Sequence, residues 1–163
     1  MARVLLITSA DFLADNPVNG NIDTDKILMH IWAAQERHIK PVLGTDLYQK
    51  LQSDISGASL AGNYLTLSNL IKPALVKYAM AEFVSVGGFK INNQGVFKPA
   101  SEAATSADSG EIDDLVNWAL SRARGFIMEV ERFLDNTSIS EYSTNTGADL
   151  SPRDAQITDW YLK

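Results

Sequence analysis

From Ile112 to Leu134 the chain repeats one pattern. Ile112, Leu115, Val116, Ala119, Leu120, Ala123, Phe126, Ile127, Val130, Phe133 and Leu134 fall on one side of a helix turning 100° per residue. The stripe runs for about six turns, so this segment has to lie along other helices or a sheet. Asp108 and Glu111 stand at capping-box spacing before it, with Asp in place of the usual Ser or Thr. Asp113 and Asp114 favour the dipole of the first turn.

Three further helices are predicted upstream. The first starts near Asp23, a capping residue, with Ile22 and Ile27 at staple positions. Ile27, Leu28, Ile31, Trp32, Gln35, His38 and Ile39 share a face. The helix is expected to end before Pro41, whose ring disfavours helical geometry at Lys40. Gln35 falls in the middle of the apolar face, and a buried amide is costly unless bonded. It is expected to bond to backbone, in the loop after Pro41. A short second helix follows Gly44, with Thr45 as cap and Leu47, Leu51 and Ile55 recurring every fourth residue. The third helix is expected over roughly 66–86, where Pro73 marks either a kink or the true first turn. From Leu70 to Val86 apolar residues lie all round it, so it is expected at the centre of the fold. Gly87-Gly88 ends it.

Phe89-Lys90-Ile91 and Val96-Phe97-Lys98 flank Asn92-Asn93-Gln94-Gly95 and predict a β-hairpin over 89–98. Residues 1–20 are expected to form an N-terminal arm, with a short strand at Arg3–Ile7 and a turn at Asp15–Asn21. Residues 136–163 are rich in Ser, Thr and Asn, yet Ile139, Tyr142, Leu150, Ile157, Trp160, Tyr161 and Leu162 are spread through them. A tail without a docking partner has fewer large apolar groups. The expected architecture is mainly α: a four-helix bundle-like connector domain over 1–135, a small β-hairpin, and extended N- and C-terminal arms at 1–20 and 136–163.

Composition narrows the function. The 163 residues are 45% hydrophobic, enough for one core. No apolar run approaches the ~20 residues of a membrane span. Ser9-Ala10-Asp11 interrupts the first apolar stretch too early for a signal-peptide core. Cysteine is absent, which removes disulfides and thiolate metal sites. The net charge of −6 and scattered basic residues argue against sequence-independent nucleic-acid binding. The closest basic cluster, Arg122, Arg124 and Arg132, reads as a solvated helix face.

No catalytic set is visible. There is no glycine-framed serine. His30 and His38 are eight residues apart, one on the polar and one on the apolar face, so one solvated and one packed histidine are expected. Asp15–Lys26 fails as a calcium loop, because Pro17 and Lys26 occupy ligand positions. Phosphate-binding and dinucleotide-binding glycine patterns are missing. The expectation is a non-enzyme without catalytic, metal or cofactor residues.

Some residues suit an assembly better than a monomer. Trp118 and Met128 lie on the polar face of the last helix, and Gly125 beside them costs roughly 1 kcal/mol against Ala. Contact with another subunit explains them, as does cover by the chain's own arm. Asn21-Ile22-Asp23, Ile31, Ala34-Gln35, Ile39, Pro41, Leu43-Gly44 and Leu47-Tyr48 through Leu51 resemble the head–tail connector (adaptor, head-completion) proteins of tailed bacteriophages. Ile71 and Pro73 opening a central helix, Asn92 to Val96 as a turn, and the helix from Glu111 extend the resemblance over roughly residues 4–135.

The resemblance implies a ring of identical subunits, usually a dodecamer, bound to the portal protein in the virion neck after synthesis in the host cytoplasm. Further neck or tail proteins dock on it, and DNA passes through its channel without specific binding. No membrane is involved. The chemistry of the sequence, rather than the resemblance, suggests Phe89, Phe97, Trp118, Gly125, Met128, Ile139, Tyr142, Ile157, Trp160, Tyr161 and Leu162 as subunit or portal contacts. Gln35, Pro41, Gly44 and Pro73 are expected to be structural. A helical interaction or regulatory module without a ring is the first alternative. A small enzyme using His38 and scattered carboxylates is the second.

Overall fold

A computed structural model describes residues 3–16, 22–87, 90–92, 95–97 and 108–143. The protein is mainly helical. In chain order come α1 (Ser9–Asp15), α2 (Thr24–Ala34), a π-helical turn (Gln35–Ile39), α3 (Lys40–Leu43), α4 (Thr45–Ser56), α5 (Gly62–Gly87), α6 (Ser109–Asn136) and α7 (Ser140–Ser143). Between α5 and α6, strands β1 (Lys90–Asn92) and β2 (Gly95–Phe97) pair antiparallel, with Ile91 opposite Val96.

The central position of α5 follows from its all-round apolarity. It packs against α6, α2, α1 and the π turn. Leu67, Ile71, Ala74, Leu75, Val76 and Ala79 are at most 1% exposed, while Lys72, Pro73 and Lys77 are only partly buried, so most of the circumference of the middle turns is covered. The helix begins at Gly62, four residues before the expected start, and continues through Pro73. Pro73 is therefore neither in the first turn nor a terminus. The tertiary contacts on both sides offset the one backbone donor it lacks.

Against α5, α6 presents Ala119, Ala123, Ile127, Val130 and Leu134. Fully burying a side chain such as Val130 or Leu134 stabilises by about 1.5–3 kcal/mol. The Asp108–Glu111 box forms: Glu111 N–H donates to Asp108 Oδ1 at 2.8 Å, and Asp108 N–H donates to Glu111 Oε2 at 3.0 Å.

The expected N-terminal arm instead folds onto the core. Thr8 caps α1 through a capping box with Asp11. Leu6, Ile7 and Phe12 are at most 5% exposed. Arg3–Ile7 is not a strand. The backbone of Val4 and Leu6 is bonded by the Gln35 side chain, so an amide stands where a neighbouring strand would be.

The first long helix does not stop before Pro41. Lys40 keeps helical dihedrals, and its N–H reaches the Gln35 carbonyl across the wider π turn. Pro41 then falls in the first turn of α3, where a missing donor costs little. The break comes at Gly44, whose φ of 76° is a conformation that favours glycine. Gly44, not Thr45, occupies the N-cap of α4, and no side chain caps that helix.

Candidate interaction surface

The inner side of α6 is sealed and the outer side is open. Trp118 is 42% exposed and Met128 61% exposed. Gly125 lies on the same side, and an added Cβ there would meet nothing within 4 Å. No described part of the chain therefore requires a glycine at that position. Leu115, one turn before Trp118, is also exposed.

Two cations approach the Trp118 ring, Lys77 Nζ and the Arg122 guanidinium, each 5.7 Å from its centroid. Lys77 is held from behind. It donates to the Asp15 carbonyl (2.6 Å) and to Asn16 Oδ1 (3.0 Å), at the C-terminal end of α1, where a cation complements the helix dipole. A short N-terminal helix, the central helix and an outward tryptophan are thus tied into one patch.

The root of the C-terminal segment is fixed by the protein itself. Ile139 is 4% exposed within the core, which corrects its expected role as a contact to another molecule. Tyr142 packs partly buried against the same core. Tyr64 Oη donates to Glu141 Oε2 (2.7 Å), and Ser140 Oγ donates to the same oxygen (2.8 Å). These bonds, that from Tyr64 first, hold the Glu141 carboxyl below its ordinary range. Lys50 lies 4.9 Å over the Tyr64 ring while bonded to both carboxylate oxygens of Asp54.

Of the other expected contact residues, Phe89, Ile157, Trp160, Tyr161 and Leu162 lie outside the described residues, and Phe97 is placed only by its backbone in β2. Of the structural set, Gln35 bonds to backbone, but to the N-terminal segment rather than to the loop after Pro41.

The two histidines do not divide into one packed and one solvated. Both are half-buried. His38 stacks on Tyr78 at 4.1 Å between centroids and 4° between planes, with Nε2 3.6 Å from Glu82 Oε1. Arg37 also reaches Glu82, at 3.1 Å. His30 meets Phe83 edge-on at 5.5 Å. Burial, partly opposed by Glu82, lowers the pKa of both imidazoles below 6.5. Among the described residues no group of three His, Asp or Glu is placed to hold a metal ion.

Sequence reading missed a polar relay around Tyr48. Its hydroxyl donates to Glu36 Oε1 and accepts from Gln35 Nε2, both at 2.7 Å. Lys40 donates to the other Glu36 oxygen at 3.2 Å. Burial first, and the Glu36 bond next, push the Tyr48 pKa up. The only signal was the position of Gln35 on an apolar stripe. Exposed Met29, Leu65 and Val86 were missed as well.

A mainly helical domain whose longest helix keeps an aromatic-bearing face outward is what these observations define. Residues 39–150 match the sequence profile of DUF6712, a family of unknown function, and the chain belongs to that family. Neither a curated protein nor a solved structure matches it. No described helix is long and apolar enough to cross a membrane.

Proposed function

We propose that this chain is a structural virion protein, a head–tail connector whose copies form a ring under the portal and extend the DNA channel. One observation carries the reading: α6 is packed on one side against α5 and left open on the other at Trp118, Gly125 and Met128. A helix of that kind is half of an interface. The resemblance of Asn21–Leu51 to connector proteins supports the same reading.

Function is then geometric, without catalysis or cofactor. Rigid helices keep the bore open. Outward apolar groups bury against neighbouring subunits, usually twelve in all. The segment 89–98, taken as a hairpin arm with Phe89 and Phe97, and the C-terminal arm with Ile157, Trp160, Tyr161 and Leu162 anchor the ring to the portal or to the next subunit. The net charge of −6 opposes adhesion of DNA to the channel. Further neck or tail proteins dock on the free rim in the virion neck.

Native mass spectrometry of the chain mixed with its matching portal tests this. The expected product is one complex carrying a ring of this chain on the portal. Absence of both ring and portal binding at every concentration overturns it. Deleting residues 157–163 should leave helicity nearly unchanged and abolish assembly.

A second reading, a helical interaction module without a ring, is favoured by the tucked Leu6, Ile7 and Ile139, which show both described ends serving their own core. The same experiment separates the two.

A further inference from the structure

On the open side of α6, Asp114, Trp118, Ser121, Gly125, Met128 and Arg132 follow one another in alternating steps of four and three, and all six are exposed. That is the spacing of a helix–helix seam, in which alternate residues meet a facing helix. The widest side chains, Trp118 and Met128, flank the smallest, Ser121 and Gly125. Small residues at that spacing let two helix backbones approach closely.

The charges say what the facing helix is. We propose that the outer face of α6 pairs with α6 of a second copy of this chain, antiparallel and crossing at Gly125. In that register Trp118 lies opposite the partner's Arg132, and the arginine meets the indole as a third cation beside the chain's own Lys77 and Arg122. Arg122 lies opposite the partner's Glu129, which already holds Arg132 on its own helix at 2.7 Å. Two-fold symmetry repeats both pairings on the other side of the crossing. The larger side chains meet small ones, since Met128 faces the partner's Ser121. Parallel pairing would instead stack Arg132 on Arg132 in the seam. The seam is thus complementary to itself when reversed.

The inference needs only this chain, but it claims the same face of α6 that carries the connector reading. A closed two-fold pair is not a ring contact, so ring assembly would have to open it.

Sedimentation velocity of the full chain, without portal, from about 1 to about 500 µM tests it. The expected result is a reversible monomer–dimer equilibrium above the 17.9 kDa monomer. Gly125→Lys adds a side chain into open space in the monomer, so helicity should persist while the dimer Kd rises about 100-fold or more. Arg122→Glu and Glu129→Arg should each weaken the dimer about tenfold, and the double variant should restore it. A monomer at every concentration, a dimer indifferent to Gly125→Lys, or a double variant no better than the singles would each overturn the proposal.

Discussion

Gln35 and Leu6 are joined by a 3.0 Å hydrogen bond from the Leu6 backbone N–H to Gln35 Oε1, across 29 residues of sequence. The other end of the same amide donates to the Val4 carbonyl at 2.9 Å. Gln35 is fully buried, so neither water nor a flexible surface competes for these bonds. One side chain thereby bonds two backbone groups of the N-terminal segment and helps to hold it on the core.

Gln35→Ala should lower unfolding stability by about 2–4 kcal/mol, because it strands the Leu6 N–H and opens a cavity. Val4 keeps a bond from Gln52 at 3.1 Å, which limits the loss. Urea unfolding should show a lower midpoint. A loss below about 0.5 kcal/mol would show that the N-terminal segment is held by its apolar residues alone.

Phe12→Ala should cost about 3–5 kcal/mol. The ring is 0% exposed and meets Phe83 edge-on at 5.9 Å. If residues 1–20 were a free arm, the substitution would leave thermal unfolding unchanged.

Gly125→Ala should stabilise the monomer by up to about 1 kcal/mol, since the new methyl meets nothing and the helix gains propensity. Thermal unfolding in dilute solution measures this. Destabilisation would reveal a close neighbour within the chain.

Stability should fall as pH drops from 7 toward 6. His30 and His38 have folded pKa values below the ordinary 6.5, so the unfolded chain binds more protons in that window. The stability tied to their neutral forms is complete above 6.5 and is lost progressively below it. Replacing both with Gln should flatten the slope between pH 6 and 7. An unchanged slope would mean that other groups carry it.

Tyr64→Phe should loosen α7 specifically. It removes the donor to Glu141 at a partly exposed site, costing about 0.5–1.5 kcal/mol. Hydrogen exchange at residues 139–143 should quicken while that of α5 stays slow.

The helices of the bundle were legible because packing imposes a period on sequence. α6 and its Asp108 cap, the cap at Asp23, and the central place of α5 all follow from local rules. What stayed hidden is non-local. Nothing near Leu6 or Phe12 says that they dock on helices far along the chain, so a buried segment looked like an arm. Pro41 read as a stop because the rule for residues before proline assumes a regular α-helix, and a π turn is not written in any short motif. The outward face of α6 was legible through Trp118, Met128 and Gly125. Its arginines and glutamate gained meaning only once the exposed positions were known, since solvated and interfacial charges look alike in sequence. Ile139 misled for the opposite reason: an isolated apolar residue among polar ones marks burial without saying against which molecule.

The π turn at Gln35–Ile39 carries one more consequence. It holds one residue more than a regular turn of the same height, so it takes up that residue while nearly keeping the rotational phase between α2 and everything from Pro41 onward. Removing a single residue there would convert the turn to ordinary α-helix and leave Leu43 and Gly44 in nearly the same phase, whereas removing one from the regular α2 would swing them by about 100° around the axis. In the second case the corner at Gly44 would aim α4 in a different direction. A stretch that looks like an irregularity is in effect the place where one residue can be lost while the angle between the first half of the bundle and the second is kept.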